Sequence, residues 1–134
     1  MIKTCPLVAV VDDEESIRRA LTRLMRSAGL NVATFGSGGE FLKSIDAERP
    51  DCVVLDLHMP QMSGFAVEAY LAKNHPAVPV IVLTGHDSSN DRERAIERGT
   101  AAFLRKPVDD RVLLEAISTA VASANGNNPL SDAS

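Results

Sequence analysis

The chain has 134 residues, a net charge of −4 and a pI of about 5.3, and 45% of its residues are apolar. That length favours one domain with a hydrophobic core. Lys and Arg are scattered without a basic stretch, which argues against nucleic-acid binding by this segment. The sequence has no secretory signal and no apolar run of membrane-spanning length, so we expect a cytoplasmic protein.

The cysteine content fits a reducing compartment. Cys5 and Cys52 are the two cysteines of the chain, too few for a disulfide framework. Because Cys52 lies within an apolar run, it is predicted to be a small buried residue and not a reactive thiol.

Short apolar runs of β type alternate with helical patterns from the N-terminus onward, which favours βαβ units. The first run, Leu7–Val11, is predicted to be a strand, and a helix is expected over residues 14–28. Its predicted sheet-facing positions are Ile17, Leu21, Leu24 and Ala28, and its predicted outer positions are Arg18, Arg19, Arg23 and Arg26.

The alternation continues through four more strands and four more helices. Strands are predicted over 32–35, 52–55, 80–83 and 101–104, and helices over 40–45, 65–74, 87–99 and 109–123. The packing residues of the third helix are predicted to be Phe65, Ala69 and Ala72, and those of the fifth Val112, Leu113, Ala116, Ile117 and Ala120.

The fourth helix is highly charged and has Ala95 and Ile96 as its main apolar anchors. It should gain little from burial, since a large apolar side chain contributes about 1.5–3 kcal/mol when buried. It is therefore interpreted either as a solvated surface helix or as an element that shifts easily.

Five strands and five helices in this order predict a flavodoxin-like, doubly wound (βα)5 fold, with a parallel sheet covered by helices on both faces. The predicted domain spans residues 1–123. Residues 124–134 are polar and include Gly and Pro, so they are predicted to be a tail or the start of a linker.

Polar side chains follow four of the predicted strands. They are Asp12 and Asp13 after the first strand, Asp56 after the third, Thr84 after the fourth and Lys106 close to the end of the fifth. If the strands are parallel, these groups meet at the carboxyl edge of the sheet, where open α/β sheets bind ligands. Any one of them alone could be a helix cap or a surface residue, and the indication comes from the set.

Three carboxylates, a hydroxyl and an ammonium suit a hard cation and a phosphoryl group. Mg²⁺ prefers oxygen ligands and needs only one or two carboxylates, whereas His58 and His86 do not form a zinc-type cluster. A carboxylate can attack phosphorus to give an aspartyl-phosphate, and Asp56, which follows a fully apolar run, is the best candidate nucleophile. Lys106 and Thr84 would then contact the phosphoryl oxygens.

These residues carry a resemblance to the receiver domains of two-component response regulators, and in detail to the FixJ-type subgroup. The similar stretches are Val10-Val11-Asp12-Asp13-Glu14-Glu15, Asp56-Leu57-His58-Met59-Pro60, Ser63-Gly64, Thr84-Gly85-His86 and Ala102-Phe103-Leu104-Arg105-Lys106-Pro107. They extend over roughly residues 6–123. Two features depart from the subgroup: the charged fourth helix, and Thr100, which stands where alanine is usual.

The resemblance implies a role for each site residue. Asp56 would be the phosphoacceptor and Lys106 and Thr84 its phosphoryl contacts. The implied Mg²⁺ (or Mn²⁺) ligands are Asp13 and Asp56 directly, Asp12 through water, and the backbone carbonyl of His58. Thr84 and Phe103 would be the switch residues. The implied partners are a histidine kinase and a second copy of the chain, bound through the face of helix four, strand five and helix five.

Other readings fit the residues less well. A phosphatase with an aspartyl nucleophile would need a second Asp at the position of His58, and a dinucleotide site would need glycines where Asp12 and Asp13 stand. Two readings of the output remain open. The chain is either the receiver of a transcription regulator whose output domain lies elsewhere, or a stand-alone regulator that binds another protein. In neither case is it an enzyme beyond its own phosphorylation and dephosphorylation.

Overall fold

The structure is a computed structural model that describes residues 5–85 and 89–124. Strands and helices alternate along these residues. They are β1 (Leu7–Val11), α1 (Glu15–Ser27), β2 (Asn31–Phe35), α2 (Gly38–Ser44), β3 (Cys52–Leu55), α3 (Gly64–Asn74), β4 (Val80–Thr84), α4 (Ser89–Glu97), β5 (Ala102–Arg105) and α5 (Asp110–Ala124).

The five strands form one parallel sheet in the order β2-β1-β3-β4-β5. This is the strand order of doubly wound, flavodoxin-like folds, so the predicted fold is confirmed. Val11 pairs with Leu55, and Leu55 pairs with Val82. This register brings the residues that follow β1 and β3 side by side at the carboxyl edge.

The central strands β1, β3 and β4 are buried on both faces, because helices cover each side of the sheet, whereas the edge strands β2 and β5 are partly exposed. Alternate strand residues, such as Val10 and Val11, enter two separate cores. One core includes Phe41, Val67, Leu71 and Ala95 from α2, α3 and α4. The other includes Leu21, Met25, Leu113 and Ile117 from α1 and α5.

The predicted packing stripe of α1 is wrong at its end. Ala28 is exposed because the helix ends at Ser27 and Ala28 is its C-cap, while Met25, one turn after Leu21, is fully buried. Arg18, predicted to lie outside, is half-buried and reaches back to the loop after β1, where its Nη1 donates to the Asp12 carbonyl oxygen at 2.8 Å.

The predicted inner face of α3 is also wrong, apart from Phe65. Ala72 is exposed and Ala69 half-buried, whereas Val67, Glu68 and Leu71 are buried. The reason is the position of Gly64 against the backbone of Asp56. Residues three, four and seven positions after Gly64 lie on the same side of the helix and therefore face the sheet.

Two apolar side chains predicted to pack are largely exposed. Ile96 of α4 is 56% exposed and Val112 of α5 is 46% exposed, while Ala95 is fully buried. The prediction that α4 gains little from burial is confirmed. Of its two predicted apolar anchors, only Ala95 is buried, so the helix is held more weakly than predicted.

Three predictions fall on residues that the structure does not describe. They concern His86, the start of α4 at Asp87 and Ser88, and the tail from Asn125 onward. Across the residues that are described, no helix is long and apolar enough to cross a membrane.

Candidate functional site

The carboxyl edge of the sheet brings Asp12 and Asp56 together. The backbone N–H of Asp56 donates to the carbonyl oxygen of Val11 at 3.0 Å, so the ladder between β1 and β3 continues into both loops. Asp12 is 3% exposed and Asp56 is 6% exposed. Two carboxylates are thus held in largely water-free positions by backbone pairing.

Asp13, which is exposed, completes an acidic cluster with these two residues. One carboxylate oxygen from each lies within 4.8 Å of the others. Burial raises the pKa of Asp12 and outweighs the hydrogen bonds from Lys106 and the Glu14 N–H. A cluster of oxygen donors that repel one another fits a hard divalent cation such as Mg²⁺.

Lys106 lies between the two buried aspartates. Its Nζ donates to Asp12 Oδ2 at 2.7 Å and lies 3.5 Å from Asp56 Oδ2. Burial lowers the pKa of Lys106, but the hydrogen bond to Asp12 and the surrounding carboxylates outweigh it, and the net pKa is raised. Lys106 is therefore charged. With three carboxylates and one ammonium, Asp12, Asp13, Asp56 and Lys106 carry a formal charge of about −2.

Thr84 and Lys106 are joined through the backbone. Thr84 is fully buried at the end of β4, and its carbonyl oxygen accepts the Lys106 N–H at 2.9 Å. The Lys106–Pro107 peptide is cis. Thr84 lies two residues beyond Val82, which pairs with Leu55, so it stands at the same edge as Asp56.

The loop after Asp56 folds back tightly over it. The His58 N–H donates to Asp56 Oδ1 at 3.2 Å, and the Gly64 N–H donates to the Leu57 carbonyl at 2.9 Å. A Cβ on Gly64 would lie 2.2 Å from the Asp56 carbonyl oxygen, so the close approach requires glycine. The loop thereby orients the Asp56 carboxylate.

The His58 ring points to α4 and pairs with Asp91, with Nε2 and Oδ2 3.0 Å apart. Phe103 is half-buried in β5, packed against the core formed with α2 and α3. The Arg92 guanidinium lies 5.9 Å from the centre of its ring. Side chains of α4 therefore contact both the site loop and the aromatic residue of β5.

Sequence reasoning missed two groups around Asp12. Arg18 binds the Asp12 backbone, and Glu14 donates its N–H to Asp12 Oδ1 at 2.9 Å while its own carboxylate lies 3.7 Å from Lys106. A signal was present: Glu14 and Arg18 follow Asp12 by two and six positions, near enough in sequence for a long side chain to reach the predicted site.

The doubly wound sheet, with an acidic cluster and a lysine at its carboxyl edge, is the arrangement that the resemblance to receiver domains predicts. The sequence model of the response regulator receiver domain family matches residues 8–118. The chain therefore belongs to the response-regulator receiver family of two-component systems. Such domains are signalling modules that interact with histidine kinases and are not enzymes in the usual sense.

Known proteins agree with this assignment. Nodulation protein W of Bradyrhizobium diazoefficiens is 41% identical over 117 residues, which cover 87% of this chain and 52% of that protein. The DNA-binding transcriptional regulator NtrC of Escherichia coli K12 is 38% identical over 103 residues, covering 77% of this chain and 22% of NtrC. The chain thus spans about half of the length of Nodulation protein W and less than a quarter of the length of NtrC. The crystal structure of a receiver protein from Burkholderia phymatum is 43% identical with a TM-score of 0.79, covering 87% of this chain and 95% of that one.

Proposed function

We propose that this receiver domain accepts a phosphoryl group on Asp56, from a partner histidine kinase or a small acyl phosphate, in a reaction that depends on Mg²⁺ or Mn²⁺. The observation that carries the proposal is the placement of Asp56. Its buried carboxylate lies at the sheet edge, within the acidic cluster and 3.5 Å from the Lys106 ammonium. A rigid nucleophile beside a fixed positive charge is what phosphoryl transfer requires.

In the transfer step, an Asp56 carboxylate oxygen forms a bond to phosphorus. The bond from phosphorus to the donor breaks, a P–N bond for a phosphohistidine or a P–O bond for an acyl phosphate, and the donor keeps that electron pair. The His58 N–H orients one Asp56 oxygen throughout. Lys106 Nζ, already close to the other oxygen, pairs with an incoming phosphoryl oxygen, and the Thr84 hydroxyl donates to another.

The proposed metal ligands are those that the resemblance to receiver domains implies, and the acidic cluster is compatible with them. Asp13 and Asp56 would hold the cation directly, Asp12 through water, and the His58 carbonyl would be a further ligand. When bound, the cation neutralises charge on the phosphoryl group in the transition state. Its +2 charge would offset the excess of about −2 among Asp12, Asp13, Asp56 and Lys106.

Phosphorylation then changes the face formed by α4, β5 and α5, through movement of Thr84 and Phe103. The weak anchoring of α4 supports this, because Ala95 is fully buried while Ile96 is 56% exposed. A dimer contact or an output module would read this face, which also exposes Val112. Phosphorylation would bias an equilibrium between two arrangements that exist beforehand.

The output is proposed to be control of transcription through a domain outside residues 1–134. Support comes from NtrC, whose description is DNA-binding transcriptional regulator, and of which this chain covers 22%. The alternative is a stand-alone regulator that binds another protein. Whether the reading frame continues past Ser134 into a basic helical module distinguishes the two.

The test is labelling by a small acyl phosphate, with and without Mg²⁺, followed by intact mass and size exclusion. Wild type and the control Asp46→Asn, which changes an exposed aspartate after α2, should be labelled only with Mg²⁺. Asp56→Asn should remain unlabelled because the nucleophile is gone. Labelling of Asp56→Asn at the wild-type rate would disprove the acceptor assignment. If the wild type takes no label from any donor, the chain is a pseudo-receiver and partner binding becomes its leading function.

A further inference from the structure

A second ionisable group is buried far from the phosphoacceptor edge. Glu68 of α3 is 2% exposed, and its carboxyl group meets the Thr100 hydroxyl in the turn between α4 and β5. Neither residue contributes to the site described above. Their contact ties α3 to the segment that follows α4.

The hydrogen bonds of Thr100 indicate which group carries the proton. Thr100 Oγ1 lies 2.6 Å from the Ala95 carbonyl oxygen and also forms a hydrogen bond with Glu68 Oε2. A threonine hydroxyl has one proton, and a carbonyl oxygen can only accept. If Thr100 donates to Ala95, the hydrogen bond to Glu68 needs a proton on Glu68.

The second oxygen of Glu68 leads to the same conclusion. Oε1 is buried and has no hydrogen-bond partner within the described part of the chain. Glu68 borders a cavity of about 40 Å³ that is lined by Leu71, Val78 and Val80 and also by Arg98. A buried oxygen without a hydrogen-bond partner costs much less free energy on a neutral acid than on a carboxylate.

Two positive charges near Glu68 disfavour its neutral form but do not outweigh burial. They belong to Arg94 of α4 and to Arg98 in the turn after it, whereas the α3–β4 turn and β4 present apolar side chains. Arg94 lies over the Phe65 ring, 3.9 Å from its centre. Burial raises the pKa of Glu68 more than the Thr100 hydrogen bond and the two arginines lower it.

We infer that Glu68 is a neutral acid in this conformation and that its O–H donates a hydrogen bond to Thr100 Oγ1. This contact between Glu68 and Thr100 forms a proton-linked latch between α3 and the end of α4. Thr100 passes the restraint to α4 through Ala95, whose carbonyl accepts both the Thr100 hydroxyl and, at 3.2 Å, the Thr100 N–H. Ala95 is also the buried anchor of α4. Ionisation of Glu68 makes its carboxylate compete for the proton that Thr100 gives to Ala95, so the latch weakens as pH rises.

The first test is the titration of the Glu68 carboxyl carbon, followed by NMR in the full chain. The expected midpoint lies above 4.5, the ordinary value for glutamate. A midpoint at or below 4.5 would overturn the inference, because the native contacts would then not favour the protonated form of Glu68.

The second test is hydrogen exchange of the Gly99 and Thr100 amides, which bond to Ile96 and Ala95. Glu68→Gln keeps a donor for Thr100 and cannot ionise. At low pH, the Gly99 and Thr100 amides of this variant should be protected from exchange as strongly as in wild type. Above pH 4.5 their protection should exceed that of wild type, by up to tenfold per pH unit, until Glu68 of the native wild type has titrated. Glu97→Gln, the same change on an exposed residue of α4, should match wild type.

Thr100→Val removes the hydroxyl while keeping the shape, and should lower the protection of these amides most at low pH, where Glu68 is protonated. Identical pH profiles for Glu68→Gln and Glu97→Gln would contradict the latch. So would unchanged protection in Thr100→Val, because the restraint would then not pass through the hydroxyl.

One consequence rests on the proposed function: if phosphorylation moves α4, the latch must open. Under a phosphodonor and Mg²⁺, the phosphorylated fraction is read by mass and Thr100 protection is followed in the same sample. If the chain takes up no phosphoryl group, the proposed function is contradicted, and the latch is judged by the Glu68 titration and the hydrogen-exchange test alone. Phosphorylation of Asp56 without loss of Thr100 protection contradicts the coupling of the latch to the switch.

Discussion

At the residue scale, the Lys106 side chain lies between two buried carboxylates and remains charged there. Its ammonium lies 2.7 Å from Asp12 and 3.5 Å from Asp56, and so reduces the repulsion between two buried carboxylates. It also remains charged, because those carboxylates raise its pKa against the effect of burial. In the proposed function, this same ammonium would hold the unphosphorylated site together and would also bind a phosphoryl oxygen.

Lys106→Met is expected to separate these effects. Loss of the ammonium removes the hydrogen bond to Asp12 Oδ2 and should lower the free energy of unfolding without metal by about 1–3 kcal/mol. Mg²⁺ should bind more tightly, since the site becomes more negative by one charge, while labelling of Asp56 should slow. Urea unfolding, calorimetric Mg²⁺ titration and acyl-phosphate labelling measure the three quantities. Weaker Mg²⁺ binding in this variant would contradict the charge argument.

The sequence predicted which polar residues lie at the strand ends, but it did not predict which side chains contact one another. Asp12, Asp56 and Thr84 follow apolar runs, so their common edge could be read from the sequence. Thr100 was noticed only as a departure from the family. Its partner Glu68 is 32 positions away on another helix, and no local pattern connects the two.

At the scale of elements, the contact between α3 and the backbone after β3 decides which face of α3 is buried. Gly64 begins the helix, and a Cβ there would lie 2.2 Å from the Asp56 carbonyl oxygen and 2.6 Å from the Leu57 Cα. Without that close contact, α3 would rotate or move outward, and the loop that orients Asp56 would move with it.

Gly64→Ala is therefore expected to reduce both stability and phosphorylation. Overpacking against backbone should cost about 3 kcal/mol, since the backbone cannot move aside as a flexible side chain can. Gly39→Ala in α2 is the matched control, because its Cβ would meet only Ser37 Oγ at 4.0 Å. That control should stay within about 1 kcal/mol of wild type in urea unfolding and be labelled normally. Equal stability of the two variants would show that the contact with Asp56 is not tight.

Helix α4 is held by polar contacts more than by burial. His58 pairs with Asp91, Arg94 lies over Phe65, and Thr100 bonds to the Ala95 carbonyl. Such contacts are individually weak and can be exchanged for others, which suits an element proposed to shift. The helical period predicted the low burial of α4 but could not show what holds it.

At the scale of the whole molecule, a metal ion bound at the acidic cluster would couple its binding to folding. Asp12, Asp13 and Asp56 come from two strand ends that meet only in the folded chain. A ligand that binds only the native state stabilises it, by about 2.7 kcal/mol at a concentration one hundred times its Kd. Mg²⁺ should therefore stabilise the entire domain.

Thermal unfolding with Mg²⁺ and with a chelator checks this expectation. The wild type should melt at a higher temperature with Mg²⁺, and the increase should grow with metal concentration. Asp13→Asn should lose most of that increase, whereas Asp46→Asn, which alters an exposed aspartate outside the cluster, should keep it. An equal increase in both variants would show that Mg²⁺ acts by general screening and not at the cluster.

The sequence by itself determined the order of strands and helices, the doubly wound class and the edge at which Asp12, Asp56 and Thr84 gather. These follow from local periodicity and from the geometry of parallel strands, which place successive strand ends together. Only the tertiary structure decided the rotation of α3, the approach of Arg18 to Asp12 and the contact between Glu68 and Thr100. Those depend on how whole helices dock onto the sheet, and side chains distant in sequence meet only once that docking has occurred.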